Sequence, residues 1–463
     1  MRFQHNNSKE IDLLHGPLVG KVFAFAIPLM LTNLLQVFYN AADMIVVSHS
    51  NVAGAVGSIG STTPLVNLLL NIFTGLAVGT SVVVARAIGS GNREATKRAV
   101  HTSVIASLAA GLICMAVGLC FSRTILSRMG AEGHVLDLAS LYTRVLFLGA
   151  PFQALANNFN AVLRAKGDTR TPLKVLSFTG LVNVLLNLVF VLVFKMDVDG
   201  VALATIAAQA LSAVLLCRRL IAETGWVRLE FRALRADRTS LVSIVKEGVP
   251  ASLQGVLFNL SNIMIVSSVM GVNNVLCPGG SAVIDGNAAA NSLEHFIYQA
   301  CNSCSQAAVT FTSQHYGARM YKRIGKVMQS CYLVTGVTAV FFSAVLLIFR
   351  YPLIGLYVSE PLAVETALLR NYIFMFTYYL LAFMDAGSYS LRGLGKSIYS
   401  TAISLTGACL LRIVWINTVF RWNPTLTVLY LSYPVSWFVT AAAQLTACLV
   451  TRKKLMQRPD AVV

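Results

Sequence analysis

Hydrophobic residues run along this chain in twelve long stretches separated by short polar breaks. They lie near 22–48, 57–84, 97–121, 138–163, 172–194, 199–221, 244–271, 286–314, 325–349, 366–391, 398–420 and 426–450. A helix needs about 20 residues to cross a hydrocarbon core of about 30 Å, and each stretch is long enough. Strict alternation of apolar and polar positions is absent, so the stretches predict helices rather than the strands of a barrel. The longest polar interruption, Glu223 to Asp237, divides the stretches six and six. The expected organisation is therefore an all-α integral membrane protein: an N-terminal lobe over 1–221, a cytoplasmic linker over 222–243 and a C-terminal lobe over 244–463.

Composition agrees and removes other classes. Of the 463 residues 56% are hydrophobic and only 12% charged, against about 25% charged in an ordinary globular domain. Mean hydropathy is +0.69. A soluble enzyme or secreted scaffold of this size could not cover so much apolar surface. The net charge of +17 suggests a nucleic-acid partner until its distribution is read. Lys and Arg crowd the termini and the even-numbered loops. Only Arg123, Arg128, Lys195, Arg350 and Arg421 fall in odd-numbered loops, and Arg144, Arg370 and Arg412 in or at the ends of spans. By the positive-inside rule both termini face the cytoplasm, beside an anionic leaflet, and no nucleic acid is expected. The leader lacks the cleavage pattern of a signal peptide, so the first helix is expected to be retained.

The two halves repeat. A shift of 228 residues lays Leu163-Arg164-Ala165-Lys166-Gly167 on Leu391-Arg392-Gly393-Leu394-Gly395, and Gly89 on Gly317; a shift of 219 lays Val37–Ser48 on Val256–Ser267, so that Asn40 meets Asn259 and Asp43 meets Asn262. Each half has an even number of spans, so the repeats are parallel. Two such six-helix bundles with a cleft between them make a transporter architecture whose rocking gives alternating access.

Of the 19 acids, three sit well inside spans: Asp43, Glu294 and Asp385. Such residues are costly in hydrocarbon and commonly mark ion or substrate paths. Gln36, Tyr39, Asn40 and Asp43 share one face of the first helix. Asn157 and Asn160 on the fourth span, Asn183 and Asn187 on the fifth, and Thr205 and Gln209 on the sixth add polar groups in the same half. They predict a polar pocket with Asp43 as its only titrating group, able to hold a proton or a cation. The alternative is that the amides simply bond helix to helix. Pro28 removes a backbone donor and is a candidate hinge. In the second half Gln254, Asn259, Asn262, Glu294 and Asp385 are candidates for a second polar patch. Arg412 needs an anion, and Asp385 and Glu294 are its expected partners.

Other chemistry is not indicated. The nine cysteines lie mostly in apolar runs, and the lone Cys301-x-x-Cys304 has no second pair, so neither disulfides nor a metal is expected. No phosphate-binding loop, no hydrolase or metalloprotease motif and no histidine cluster occurs. No cofactor is expected beyond H+ or Na+ as a coupling ion, and no enzymatic activity.

The first span IPLMLTNLLQVFYNAADMIVVS, the VARAIGSGN and TSQHYGARM segments, and LRAKGDTRTP with LRGLGKS resemble the multidrug and toxic compound extrusion (MATE) transporters over roughly residues 15–450. GNAAANSLEHFIYQACNSCSQAAVTFTSQHYGA resembles the prokaryotic DinF-like branch. The resemblance implies export of organic cations across the cytoplasmic membrane in exchange for H+ or Na+, by a monomer. It also implies that Asp43 is the protonation site, that Gln36, Tyr39, Asn157, Asn160, Asn183 and Thr205 line the pocket, and that Pro28 is the bending proline. Asn187 departs from the pattern, standing where that branch often has Asp, and the seventh-span Glu of the NorM-like branch is missing. A flippase for lipid-linked sugars on the same architecture is the competing reading. Such a substrate carries pyrophosphate and would want several arginines in its cavity. A membrane enzyme or receptor would need a catalytic cluster or added domain.

Overall fold

The computed structural model describes residues 11–48, 55–129, 133–196 and 198–457. Among these residues there is no strand. The helices are α1 (Leu18–Ser48), α2 (Ala55–Gly89), α3 (Arg93–Arg128), α4 (Gly133–Leu148), α5 (Ala150–Lys166), α6 (Arg170–Leu188) and α7 (Val198–Ile221), then α8 (Arg238–Leu276), α9 (Ala282–Gly317), α10 (Tyr321–Ile348), α11 (Arg350–Gly355), α12 (Pro361–Met375) and α13 (Tyr378–Gly393). Last come α14 (Ser397–Ser404), α15 (Leu411–Asn417), α16 (Val419–Trp422) and α17 (Leu426–Met456).

Among the described residues 9 helices are long and apolar enough to cross a membrane, and up to 11 if each of two bent pairs is one span. The bent pairs are the expected fourth and tenth spans. The first turns by 48° between α4 and α5, the second by 52° between α12 and α13. Pro151 in the first turn of α5 accounts for one bend. At the other, Thr377 donates its hydroxyl to the Ile373 carbonyl, a back-bond that bends helices. The remaining stretch, α9, has 36 residues but not the apolarity, and Asn287, Glu294, Asn302, Ser303, Ser305 and Gln314 on it are buried. Packed against α10, α12 and α13, it buries these polar side chains among neighbouring helices.

The halves repeat in structure as in sequence. Fourth and tenth spans are both bent. Fifth and eleventh spans both contain a π-helical stretch, Val189–Val193 and Leu405–Leu410. Gly167 and Gly395, matched by the 228-residue shift, both take a left-handed backbone, φ 103° and 74°, where a Cβ is costly.

Internal packing separates the chain into two units, Leu31–Ser252 with Met1–Asp12, and Leu13–Met30 with Leu253–Val463. In the first, Val84, Val100, Phe159, Leu216, Leu220 and Leu229 belong to one core. In the second, Phe374, Tyr378, Tyr430, Tyr433 and Trp437 are part of another. The change of unit comes at Ser252, beyond the linker expected at 222–243, and the first helix changes unit two residues after Pro28. The polar stretch is not a loose tether. Val227 and Leu229 are buried, the Leu229 amide donates to the Leu220 carbonyl, and the Asp237 amide donates to Thr102 Oγ1. The beginning of α8 then lies directly on α2: a Cβ on Gly79 would stand 2.3 Å from the Ile244 carbonyl oxygen, and one on Gly75 2.0 Å from Ser252 Oγ. That spacing, Gly75-x-x-x-Gly79, is the small-residue pattern that lets membrane helices touch backbone to backbone.

Lys166 and Arg219 pin the start of the polar stretch at Glu223. They reach the Glu223 carboxylate at 2.8 and 3.1 Å. Burial pushes that carboxyl up, but the Lys166 hydrogen bond and the charges of Lys166 and Arg219 outweigh it and hold it below the ordinary 4.5. A carboxyl lowered on folding adds stability above its unfolded value and loses it as pH falls through the folded one. Glu223→Gln is therefore expected to cost about 1 kcal/mol at pH 7. The difference should close as the pH is taken below 4.5. Thermal midpoints of both proteins across that range check it; parallel curves would refute the linkage.

Candidate functional site

In the first unit the α5–α6 turn sets where α6 begins. Gly167 ends α5, and the Asp168 carboxylate accepts from the Thr171 amide at 2.9 Å and the Thr171 hydroxyl at 2.6 Å, satisfying a donor that the helix start leaves open. That register aims Ser177, Gly180 and Asn187 at α1. Tyr39 donates its hydroxyl to the Ser177 carbonyl at 3.2 Å. Its ring lies on Gly180, where a Cβ would meet Cε2 at 1.9 Å. One turn further along α1, Asp43 Oδ1 accepts from Asn187 Nδ2 at 2.5 Å.

The four-residue stripe on α1 thus divides. Tyr39 and Asp43 engage α6, whereas Gln36 and Asn40 are exposed. Asn183 and Asn187 are buried. Asn157 and Asn160 are half-buried. Asn160 Oδ1 and Asn187 Oδ1 are buried oxygens with no hydrogen-bond partner. Thr205 donates to the Val201 carbonyl of its own helix at 2.9 Å. Two contributors escaped the sequence reading. Asn158 accepts from Thr80 at 2.9 Å, and Tyr142 on α4 lies within electrostatic reach of Asp43. The asparagine run Asn157-Asn158 was the available signal for the first.

The second unit holds two buried networks. In one, Glu294 binds Arg370 through both oxygens, Nε and Nη2 each at 2.8 Å. Arg370 also donates to Asn287 at 2.6 Å and Asn291 at 3.3 Å, and Tyr430 donates to Asn287. Phe374, Tyr430 and Tyr433 place their rings 4.8, 5.7 and 5.9 Å from the Arg370 guanidinium. Cationic and aromatic groups attract in this arrangement. In the other network, Asp385 bonds to Asn302 and feels the Arg392 charge. Asn302 donates to Tyr298 and Tyr389, and Arg392 donates to Gln254 at 2.9 Å.

Arg412 therefore does not pair with Glu294 or Asp385. Its Nε donates to Ser436 Oγ at 2.9 Å, and its guanidinium lies 4.1 Å over the Tyr433 ring. Glu294 is taken by Arg370 because α9 and α12 pack side by side, and the arginine fork fits a carboxylate at two points. Arg370 and Arg392 are buried as well. Asn259 and Asn262 are exposed and enter neither network. The sequence signal for the first network was the i, i+4, i+7 face of Asn287, Asn291 and Glu294 on α9. Among the described residues no three His, Cys, Asp or Glu side chains group to hold a metal.

Comparison with known proteins adds to this geometry. The family model described as MatE matches residues 28–189 and again 250–416, one match in each half. "Probable multidrug resistance protein YoeA" of Bacillus subtilis is 27% identical over 82% of both chains. "Multidrug export protein MepA" of Staphylococcus aureus is 24% identical over 88% of both. A solved structure described as the outward-facing conformation of a multidrug resistance MATE family transporter superposes with a TM-score of 0.90 at 20% identity, covering 98% of this chain and 100% of that one. That likeness extends the all-α, twelve-span fold over the whole described chain.

Proposed function

Since this chain belongs to the MatE family, whose members are transporters and not enzymes, we propose that it exports cationic amphipathic small molecules across the cytoplasmic membrane in exchange for H+ or Na+. The observation that carries the reading is how the three deep carboxylates are partnered. Glu294 is bound by Arg370, and Asp385 has Asn302 and the Arg392 charge. Among the described residues Asp43 alone has no cation beside it, only the Asn187 amide. A carboxylate in an apolar surrounding without a resident counter-charge needs a proton or a cation to become neutral. The unpartnered oxygen of Asn187 is a further ligand for a hard cation such as Na+. Exchange follows: the site holds the coupling ion from outside or the substrate cation from inside, with both termini cytoplasmic and Pro28 as the bend that switches access. The names of the curated relatives, multidrug resistance and export proteins, support the substrate class, and the protein acts as a monomer.

The competing flippase reading rests on Arg412, which has no carboxylate partner among the described residues and would suit a phosphate-bearing lipid. One arginine against an unpaired acid in the other unit favours cations.

Ethidium efflux from cells stripped of their own pumps tests this. Efflux is expected to stop when a protonophore collapses the proton gradient, or when K+ replaces Na+, and the effective treatment names the ion. Efflux that survives both treatments together would overturn ion coupling.

A further inference from the structure

We propose that a groove in the second unit, between the start of α1 and the start of α10, binds the headgroup of an anionic phospholipid of the cytoplasmic leaflet. The groove is a cavity of about 800 Å³ with Lys322, Arg323 and Lys326 on one side and Pro17, Leu18 and Val19 on the other. Among the described residues no acidic side chain lines it. Arg323, which lines the cavity, donates from Nη2 to the Gly16 carbonyl at 2.5 Å, which ties the chain entering α1 to α10. Lys21 lies beside Gly16, bonded to the His15 carbonyl. Neither Lys322 nor Lys326 forms an ion pair among the described residues, and both are exposed. Concave basic sites at the cytoplasmic ends of membrane helices suit anionic headgroups.

The occupant is a lipid rather than a free anion because the basic end continues into an apolar track. Lys322, Lys326 and Gln329 begin a single exposed face of α10 that runs on through Leu333, Val337 and Val340, 55%, 57% and 59% exposed, to Ile348 at 70%. With the exposed Ala344 between Val340 and Ile348, these positions are three or four residues apart, the spacing of one helix face. From Lys326 to Ile348 the rise is about 33 Å, against a hydrocarbon core of about 30 Å. Val19 and Phe23, 45% and 47% exposed, form the matching apolar wall on α1. A phosphodiester in the groove would place its acyl chains along this track, and a soluble phosphate has no use for it. The choice of leaflet rests on the orientation proposed above; the headgroup chemistry does not.

The test uses the purified full chain in neutral detergent, titrated with dioleoylphosphatidylglycerol, dioleoylphosphatidylcholine or inorganic phosphate, and read by native mass spectrometry and thermal midpoint. Wild type is expected to retain the phosphatidylglycerol roughly tenfold more strongly than the phosphatidylcholine, as two lysines near a phosphate imply, and to gain thermal stability only from the former. Lys322→Gln with Lys326→Gln should erase the preference while its midpoint in phosphatidylcholine stays that of wild type. If the pair does not fold, each single substitution is expected to lose part of the preference. Equal retention of the two lipids, an undiminished preference in the variants, or phosphate matching phosphatidylglycerol would each overturn the proposal. Orientation is read separately, by labelling Lys322→Cys from either side of intact cells. Outside labelling would refute the leaflet without touching the binding result.

Discussion

Asp43→Asn is expected to reduce ethidium efflux to that of cells without the protein, while the purified variant keeps its thermal midpoint. The reason is that asparagine matches aspartate in shape and can still accept the hydrogen bond that Asn187 now donates at 2.5 Å, but cannot exchange a proton or bind a cation by charge. A hydrogen bond to a charged acceptor is worth more than one to a neutral acceptor, so a loss of about 1 kcal/mol is the most that folding should show. Transport, in contrast, would lose the carboxylate that α1 carries in mid-span. Asn187→Ala makes the converse change: it keeps the charge and removes its donor and the neighbouring orphan oxygen. Its efflux should survive in part, with an altered dependence on the coupling ion. Wild-type efflux by Asp43→Asn under an intact gradient would remove Asp43 from the mechanism, whatever the midpoint.

Arg370→Met alone should cost about 3–5 kcal/mol, because it leaves the Glu294 carboxylate buried with no counter-charge. Both residues are buried, and their two bonds are short. Glu294→Leu alone should cost a similar amount for the reverse reason. The double replacement is expected to be more stable than either single one, since two packed apolar side chains can stand in for a buried pair at little net cost. Asn287 and Asn291 would still lose the Arg370 donors, so recovery should be incomplete. Thermal unfolding followed by tryptophan fluorescence reports on this directly, because Trp437 packs against Phe374 and Tyr433 beside Arg370. If the losses of the two single variants simply add in the double, the two residues are not coupled and the pair is not what holds α12 to α9.

The two experiments separate roles that the sequence could not. Asp43, Glu294 and Asp385 look alike in sequence, each an acid in an apolar run. Asp43 is legible as special because Tyr39, one turn away on the same face, and the amides of the fifth span, Asn187 among them, are polar groups in otherwise apolar runs. Glu294 was not legible in the same way. Its partner lies 76 residues away, near the end of a span where an arginine normally reaches water, and only the bend between α12 and α13 and the packing of α12 on α9 bring it in. Arg412 was expected to fill that role, and it turned out to stack on Tyr433 instead. The sequence places Arg392 in a basic loop, yet it ends α13 buried against Gln254.

What the sequence determined by itself follows from periodicity and composition. Membrane embedding, the helix count, the doubled architecture and the face of α1 that carries Asp43 depend on residues near one another in the chain, and lipid imposes its demand on every exposed position in turn. Tertiary structure alone decided which buried charges neutralise each other, that one face of polar α9 is buried against its neighbours, and that Glu223–Asp237 is docked rather than free. Those outcomes depend on distances between segments scores of residues apart. A buried charge must find whichever partner the packing delivers, and no local pattern specifies that partner.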